Sequence, residues 1–185
     1  MKFLEVGNIK IGKIGYILEK ELKNCNEAII FSPFISPYFA EFLLKISKKA
    51  KVKLITSNER ELNHRIALSK LIKKELNFLG KILVIFSAIS LVFMFLDFSF
   101  LFLSLAFFIF SRFFVKEKKL IDITVLDKKK IFIHAKFYFI DKKLFISTAN
   151  FTKSGFFNNV EALVEINDEK TVNEIKKYLF NIMPR

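Results

Sequence analysis

The sequence predicts an α/β fold, a mixed β-sheet flanked by helices and interrupted by a hydrophobic helical hairpin. A length of 185 residues allows one domain of ordinary size. Segments with helical apolar spacing alternate with short β-rich runs, as in α/β proteins. The hydrophobic fraction of 52% exceeds what the core of such a domain needs, and the surplus is concentrated in one segment. The chain therefore divides into a first part, 1–77, an insertion, 78–115, and a second part, 116–185.

The first part of the chain alternates helices with strands. Apolar residues at helical spacing predict an amphipathic helix over 11–22, and a short apolar run predicts a strand over 28–31. A Ser-Pro pair can open a second helix over 36–46, which a second strand over 52–56 follows. A capping pattern then predicts a long helix over 62–79 that leads into the insertion.

The second part of the chain is rich in strands. Runs of β-branched and aromatic residues predict strands over 121–126, 131–140, 144–149 and 160–166. The three residues that separate the second and third runs give hairpin spacing. Apolar residues at helical spacing after Asp168 predict a final helix.

The insertion predicts a pair of membrane helices. The stretches 78–96 and 98–115 each approach the ~20 apolar residues with which a helix crosses the hydrocarbon core of a bilayer. Asp97 separates them, and Lys81 and Arg112 lie near the same end of the pair, where long side chains can reach the interface. Lysines flank both outer ends, so the positive-inside rule places both flanking parts in the cytoplasm.

Three interpretations of this insertion are open from the sequence: a transmembrane hairpin, a shallow re-entrant hairpin, and a buried pair of helices in a soluble protein. The absence of proline and glycine around Asp97 disfavours a tight reversal, whereas the number of contiguous phenylalanines disfavours a buried pair. The expected location is the membrane, with the catalytic domain on the cytoplasmic side. The N-terminal residues lack the apolar core of a signal peptide, which agrees with that orientation.

The composition limits the partners and the redox chemistry. A formal net charge of +13 favours phosphate-bearing partners, either nucleic acid or anionic lipid, although a lysine-rich surface can also serve only to keep a phenylalanine-rich chain soluble. Cys25 is the single cysteine, so an intrachain disulfide and a cysteine-based metal cluster are both excluded. We expect Cys25 to be buried and inert.

Alternate positions of the strand predicted over 131–140 place reactive side chains on one face of the sheet. His134, Lys136 and Tyr138 share a face by this rule, and Thr148 and Asn150 share one after the turn. If the two strands pair, an imidazole, an ammonium, a hydroxyl and an amide converge. Such a set suits phosphoryl transfer without a metal or another cofactor, because a neutral imidazole can attack phosphorus while fixed donors hold its oxygens.

The spacing of these residues resembles a known signature. His134-Ala135-Lys136, then Asp141, then Ser147-Thr148-Ala149-Asn150 is similar to the histidine-lysine-aspartate motif of the phospholipase D superfamily and its following Gly-Ser-x-Asn segment. Asn159-Val160-Glu161 resembles the downstream acidic position of the small nucleases in that superfamily. Two residues depart from the pattern, since Ser147 stands in place of Gly and Thr148 in place of Ser.

The resemblance implies a phospholipase D-like fold and a role for each matching residue. His134 corresponds to the nucleophile that forms a phosphohistidine, and Glu161 to the carboxylate that orients its imidazole. The phosphate-binding positions correspond to Lys136, Thr148 and Asn150. Asp141 and Ser147 are expected to contact these site residues without touching the phosphate. Asp141 could alternatively be a residue of the hairpin turn.

The resemblance also implies an oligomeric state, because members of the superfamily combine two such motifs and this chain has one. His64 has no lysine two residues later and is expected to be a surface residue, so the second motif is expected from a second copy of the chain in a homodimer. Three functions follow as hypotheses: a membrane-anchored, metal-independent nuclease; a phospholipase or phosphatidyl-transfer enzyme acting on membrane lipids; and a catalytically silent phosphate-binding membrane protein.

Overall fold

The computed structural model describes residues 4–131 and 133–183. The chain forms two compact units, one comprising residues 1–71 and 120–185 and the other residues 72–119. The helices are α1 (Gly15–Asn24), α2 (Pro37–Ile46), α3 (Leu62–Leu71), α4 (Phe78–Phe93), α5 (Ser99–Ser111) and α6 (Glu169–Ile182).

The strands belong to two sheets. Their bounds are β1 (Leu4–Val6), β2 (Ile9–Gly12), β3 (Glu27–Phe31), β4 (Lys51–Ser57), β5 (Ile72–Leu76), β6 (Val115–Lys119), β7 (Asp122–Leu126), β8 (Lys136–Ile140), β9 (Lys143–Ser147) and β10 (Glu161–Ile166). The first unit holds a mixed eight-stranded sheet in the order β1-β2-β10-β9-β8-β3-β4-β7. The pairs β3-β4 and β4-β7 are parallel, and the other pairs are antiparallel. A mixed sheet with helices agrees with the α/β class that the sequence predicts.

The large sheet buries both of its faces, which explains the apolar character of its central strands. On one face, Phe31 and Phe139 pack in a cluster with Val172 and Leu179 of α6. On the other face, the fully buried Tyr138 packs among aromatic side chains, those of Phe39, Phe151 and Phe156. Cys25 is buried as expected.

The first predicted helix begins later than its apolar spacing indicates. Ile11 pairs with Leu4 of β1 and with Ala162 of β10, and α1 starts only at Gly15. Gly12 has a φ of 153° at the end of β2, a conformation that separates the strand from the helix. The apolar residues at helical spacing thus belong to two elements, β2 and α1. The prediction of a single helix over 11–22 is therefore wrong.

The long helix predicted over 62–79 is also wrong. It ends at Leu71, and the next five residues form β5, which pairs with β6 in an antiparallel two-stranded sheet of the second unit. The partner strand lies some forty residues later in the sequence, so local periodicity could not reveal it. Lys118 and Glu75 form an ion pair across the two strands.

The second unit places α4 and α5 against each other. Ser87 of α4 and Ser104 of α5 contact through their hydroxyl oxygens at 3.2 Å, and the Ser104 hydroxyl donates to the Ser87 carbonyl at 2.9 Å. The two helices contain 16 and 13 residues, which correspond to about 24 and 20 Å. They are shorter than predicted because a turn occupies residues 94–98, and because a 3₁₀ turn over Arg112–Phe114 follows the end of α5 and leads into β6.

The prediction of a membrane location is therefore corrected. Within residues 4–131 and 133–183, no helix combines the length and the apolar composition with which a segment crosses a bilayer. The hydrocarbon core is about 30 Å thick, which exceeds the length of both α4 and α5. The same finding removes the support for a transmembrane hairpin and for a catalytic domain held on the cytoplasmic side.

Candidate active site

One edge of the large sheet collects the residues that the sequence singles out. The strands β3 and β9 end at this edge, whereas their antiparallel neighbours β8 and β10 begin there. Chain segments that leave and enter these strands therefore lie side by side. The predicted site residues at this edge are His134, Lys136, Thr148, Asn150 and Glu161.

His134 and Lys136 lie together where β8 begins. The Lys136 ammonium nitrogen is 3.5 Å from Nε2 of His134. Lys136 is only 6% exposed, and burial lowers the pKa of its ammonium group while the negative charge of Glu161 opposes that effect. A poorly hydrated cation beside an exposed imidazole is an arrangement that favours binding of an anion between them.

The strand predicted over 131–140 is shorter than expected. β8 starts at Lys136, opposite Ser147 at the end of β9, and its pairing with β3 stops at Phe31. The neighbouring strands thus end where β8 begins, and the described residues 133–135 are not part of a strand. Phe132, within the predicted strand, lies outside the described residues.

Glu161 is fastened by two side chains. One of its carboxylate oxygens accepts a hydrogen bond from the Thr148 hydroxyl, and the other accepts from the Asn159 side-chain amide at 3.1 Å. The Thr148 hydroxyl also accepts from the Ala162 amide at 2.9 Å. The hydroxyl proton of Thr148 is thus directed to Glu161, and the contact expected between Glu161 and the imidazole of His134 stays a prediction.

Ser147 explains how the chain accommodates one departure from the expected motif. Its hydroxyl donates to the Ala162 carbonyl at 3.0 Å and accepts from the Ala149 amide at 3.0 Å. Among the described residues other than glycine, only Asp141 has a positive φ. The backbone at position 147 therefore does not require glycine, and the serine side chain supports the turn that carries Thr148 and Asn150.

Asn150 is held by its neighbours in the chain rather than by its own side chain. Its Oδ1 atom is buried and has no hydrogen-bond partner among the described residues. An acceptor left in this state costs free energy, and such groups occur at functional sites. Gly155 packs tightly on the Asn150 backbone, because a Cβ atom at Gly155 would lie 2.7 Å from the Asn150 carbonyl oxygen.

Asp141 lies at the other end of the strand pair. Asp141 follows Lys136 by five residues, just beyond the end of β8, which corresponds to roughly 16 Å along the strand. Its carboxylate accepts from the Asn26 and Glu27 amides at 3.0 Å each, and its φ of 51° closes the turn between β8 and β9. Its geometry fits the hairpin alternative, and it does not support the site residues as Ser147 does.

The comparisons with known proteins agree with this geometry. Residues 109–183 match a family model described as "Cardiolipin synthase, PLD-like domain", and the match contains every predicted site residue. Residues 109–183 thus resemble a phospholipase D-like domain.

Two solved structures are similar in fold to this chain. The phospholipase D family member Nuc from Salmonella typhimurium has a TM-score of 0.53 and 14% sequence identity, with 95% of each chain covered. NucT from Helicobacter pylori has a TM-score of 0.51 and 18% identity, with 90% of this chain and 85% of NucT covered. No curated protein is similar enough in sequence to count as a match.

Sequence reasoning missed two parts of this phospholipase D-like site. The loop over residues 32–36 runs beside the segment that carries Asn150, and Ser32 accepts a hydrogen bond from the Phe151 amide at 2.9 Å. The Ser-Pro pairs of this loop indicated only the ends of secondary structure. His64, expected at the surface, is fully buried.

The described residues also bear on metal binding. They contain no group of three or more histidine, cysteine, aspartate or glutamate side chains with the arrangement of a metal site. The groups at this edge that can act on an anion include the imidazole, ammonium, hydroxyl and amide described above.

Proposed function

We propose that this protein is a phosphodiesterase that cleaves nucleic acid through a phosphohistidine on His134. The observation that carries the proposal is the proximity of His134 Nε2 to the buried ammonium of Lys136. A phosphorus atom bound at Nε2 has its non-bridging oxygens next to this cation. The resemblance to a phospholipase D-like domain supports hydrolysis of phosphodiesters in general, and the nucleic-acid substrate is our inference.

The reaction takes two steps that leave the enzyme unchanged. Nε2 of His134 attacks phosphorus, the bond to the leaving oxygen breaks, and a second imidazole gives that oxygen a proton. A water molecule then attacks the phosphohistidine, the N–P bond breaks, and the second imidazole takes the proton of the water. The product is a phosphomonoester, and both histidines return to their starting states.

Three residues assist this chemistry. Lys136 offsets negative charge on the phosphate oxygens, and the amide of Asn150 binds one of them. Thr148 can donate to the phosphate only by releasing Glu161, so we assign its hydroxyl mainly to that carboxylate. Glu161, fixed by Thr148 and Asn159, is the residue that we assign to orient His134.

A homodimer supplies the second imidazole. The chain has one complete motif, and the buried His64 is engaged by the backbone on both ring nitrogens, so it cannot be the proton donor. We propose that a second copy places its own His134 opposite the first, about a two-fold axis. A monomeric enzyme would have a nucleophile without a partner acid.

One observation favours nucleic acid over lipid, because the Asn159-Val160-Glu161 segment resembles the small nucleases of the phospholipase D superfamily. The charge of +13 suits either phosphate-bearing substrate. The description of the matching family model names a lipid enzyme, which makes phospholipid the competing substrate. A substrate panel separates the two.

We expect the purified protein to shorten single-stranded DNA or RNA in the presence of excess EDTA, because no step above uses a metal ion. The same preparation should release no head group from phosphatidylglycerol vesicles and form no transfer product with a primary alcohol. Gel analysis and lipid chromatography measure the two outcomes. Lipid turnover without nucleic-acid cleavage would reverse the assignment, and inactivity on both would support the silent binding protein.

A second prediction concerns Gly155, whose hydrogen faces the Asn150 backbone. Gly155→Ala should lower kcat for bis(p-nitrophenyl) phosphate about tenfold or more, because the new methyl group displaces Asn150. The free energy of unfolding should fall by about 1 to 3 kcal/mol, as in other overpacked sites.

Gly80→Ala is the matched control for this variant. A Cβ atom there would lie 3.0 Å from Cδ2 of Leu76 and 3.1 Å from Cβ of Phe114, both in the second unit. This substitution also crowds its surroundings but contacts no residue of the candidate site, so kcat should stay unchanged. Normal kcat in Gly155→Ala would show that the position of Asn150 does not matter to the reaction.

A further inference from the structure

His64 lies on α3 with both ring nitrogens bound to backbone groups. Nδ1 accepts a hydrogen bond from the Ile35 amide at 3.1 Å, and Nε2 lies 2.9 Å from the Ser57 carbonyl oxygen. An amide can only donate and a carbonyl can only accept, so the ring is neutral with its proton on Nε2. Burial lowers the pKa of His64, while the nearby Glu59 and Glu61 act in the opposite direction.

The residue that His64 holds belongs to the loop over residues 32–36. The same loop is fastened from β4, because the Thr56 hydroxyl donates to the Pro33 carbonyl at 3.1 Å. Ile35 is fully buried and could not satisfy its amide with water. Within residues 4–131 and 133–183, His64 is the acceptor for this amide.

The loop in turn holds the residue that follows Asn150. Ile35 and Phe151 form a parallel β-bridge, and the Ser36 amide donates to the Phe151 carbonyl at 3.1 Å. From the other side, the Phe151 amide donates to the Ser32 hydroxyl at 2.9 Å. Both backbone groups of Phe151 are thus bound by the loop, which fixes the backbone adjoining Asn150.

We propose that His64 is a positioning residue of the active site, acting through Ile35 and Phe151 to hold Asn150 where its amide meets the substrate phosphate. This role rests on the proposed function, because Asn150 is assigned there to the phosphate. Among the described residues, nothing donates a hydrogen bond to the Oδ1 atom of Asn150, so the position of this atom depends on the backbone. A histidine without chemistry of its own thereby contributes to the reaction.

Two substitutions separate the two hydrogen bonds of His64. In His64→Asn, the amide oxygen lies near the position of Nδ1 and can still accept from Ile35. In His64→Gln, the amide nitrogen lies near the position of Nε2 and can still donate to Ser57, whereas the acceptor for Ile35 is lost. The variants are similar in size and polarity, so they form a matched pair.

The expected result is a difference between the pair in kcat. His64→Gln should lower kcat for bis(p-nitrophenyl) phosphate about tenfold or more, with a smaller change in KM, because the amide of Asn150 acts most strongly on the transition state. His64→Asn should stay within about threefold of the wild type, a small part of what a misplaced group costs. Equal kcat values in the two variants, or an unchanged kcat in His64→Gln, would overturn the proposal.

Hydrogen exchange tests the positioning step without any substrate. The Ile35, Ser36 and Phe151 amides should exchange at least about tenfold faster in His64→Gln than in His64→Asn, because their bonds depend on the loop. Amides of Ile30 and Tyr138, within the sheet, should exchange alike in both. If the wild type hydrolyses nothing, the proposed function fails; if the three amides keep their protection in His64→Gln, the positioning role fails.

Two further variants distinguish a specific effect on kcat from general destabilisation of the fold. Ser32→Ala removes the acceptor of the Phe151 amide from the other side of the loop and should lower kcat in the same way. Val172→Ala, in the core beside α6, should destabilise the protein without lowering kcat. A fall in kcat in Val172→Ala equal to that in Ser32→Ala would show that general destabilisation explains the effect.

Discussion

Replacing His134 with alanine is expected to abolish phosphodiester hydrolysis. The loss in kcat should reach at least about 10⁴-fold, because removal of a nucleophile leaves only the binding groups to act. His134 is exposed and outside the strands, so the free energy of unfolding should change by less than about 0.5 kcal/mol. Rates with bis(p-nitrophenyl) phosphate and urea unfolding measure the two quantities.

The covalent intermediate gives this prediction a second readout. Acid quenching during turnover of a ³²P-labelled oligonucleotide should leave acid-labile label on the wild type and none on His134→Ala. Wild-type rates in the variant would contradict the mechanism. Label that persists in the variant would move the nucleophile to another residue.

Mixed dimers test whether two copies of His134 share one site. If wild-type and His134→Ala chains exchange freely, only dimers of two wild-type chains should be active. Activity per wild-type chain should then fall in proportion to the wild-type fraction, so that an equal mixture keeps about a quarter of the activity of the same total protein. If the equal mixture kept half of the activity, each wild-type chain would be active without a second His134.

The second large effect is expected at Lys136, where activity and stability should change in opposite directions. Lys136→Met should lower kcat about 10²- to 10³-fold, because the cation beside His134 Nε2 is lost. It should also raise the free energy of unfolding by about 1 kcal/mol, since an apolar side chain of similar length replaces a buried ammonium. Glu161 keeps its bonds from Thr148 and Asn159 in this variant, so its charge stays satisfied.

Lys130→Met is the control for Lys136→Met. Lys130 is exposed in the turn before β8, and its replacement should leave kcat and stability nearly unchanged. Urea unfolding and steady-state rates at one pH compare the pair. Loss of stability in Lys136→Met would mean that the ammonium has a structural partner in the folded protein, and an unchanged kcat would remove it from the mechanism.

Local patterns in the sequence predict much of the site. Alternation along the predicted strand placed His134 near Lys136. The two side chains do lie 3.5 Å apart, although His134 precedes the first residue of β8. The turn spacing around Asp141 paired β8 with β9, which brought Thr148 and Asn150 to the edge where β8 begins. The motif in these residues also indicated a phospholipase D-like domain, and the family match over residues 109–183 agrees with that resemblance.

Elements that depend on distant partners could not be predicted in this way. Ile11 and the segment over 72–76 look helical in a local window, yet each finds a strand partner elsewhere in the sequence. Backbone hydrogen bonds to those partners decide the conformation, and periodicity does not report them. The prediction of membrane helices was wrong for a related reason, since composition does not show where a turn or a strand ends a helix.

His64 shows most clearly what could not be predicted from the sequence alone. By sequence it is a histidine among charged residues, which is typical of a surface helix, and nothing nearby predicts its burial. Only the folded chain brings the Ile35 amide and the Ser57 carbonyl to its two nitrogens. The sequence by itself determined the chemical groups of the site through residues close in the chain. The tertiary structure decided what holds them, because the supporting bonds join segments up to 119 residues apart.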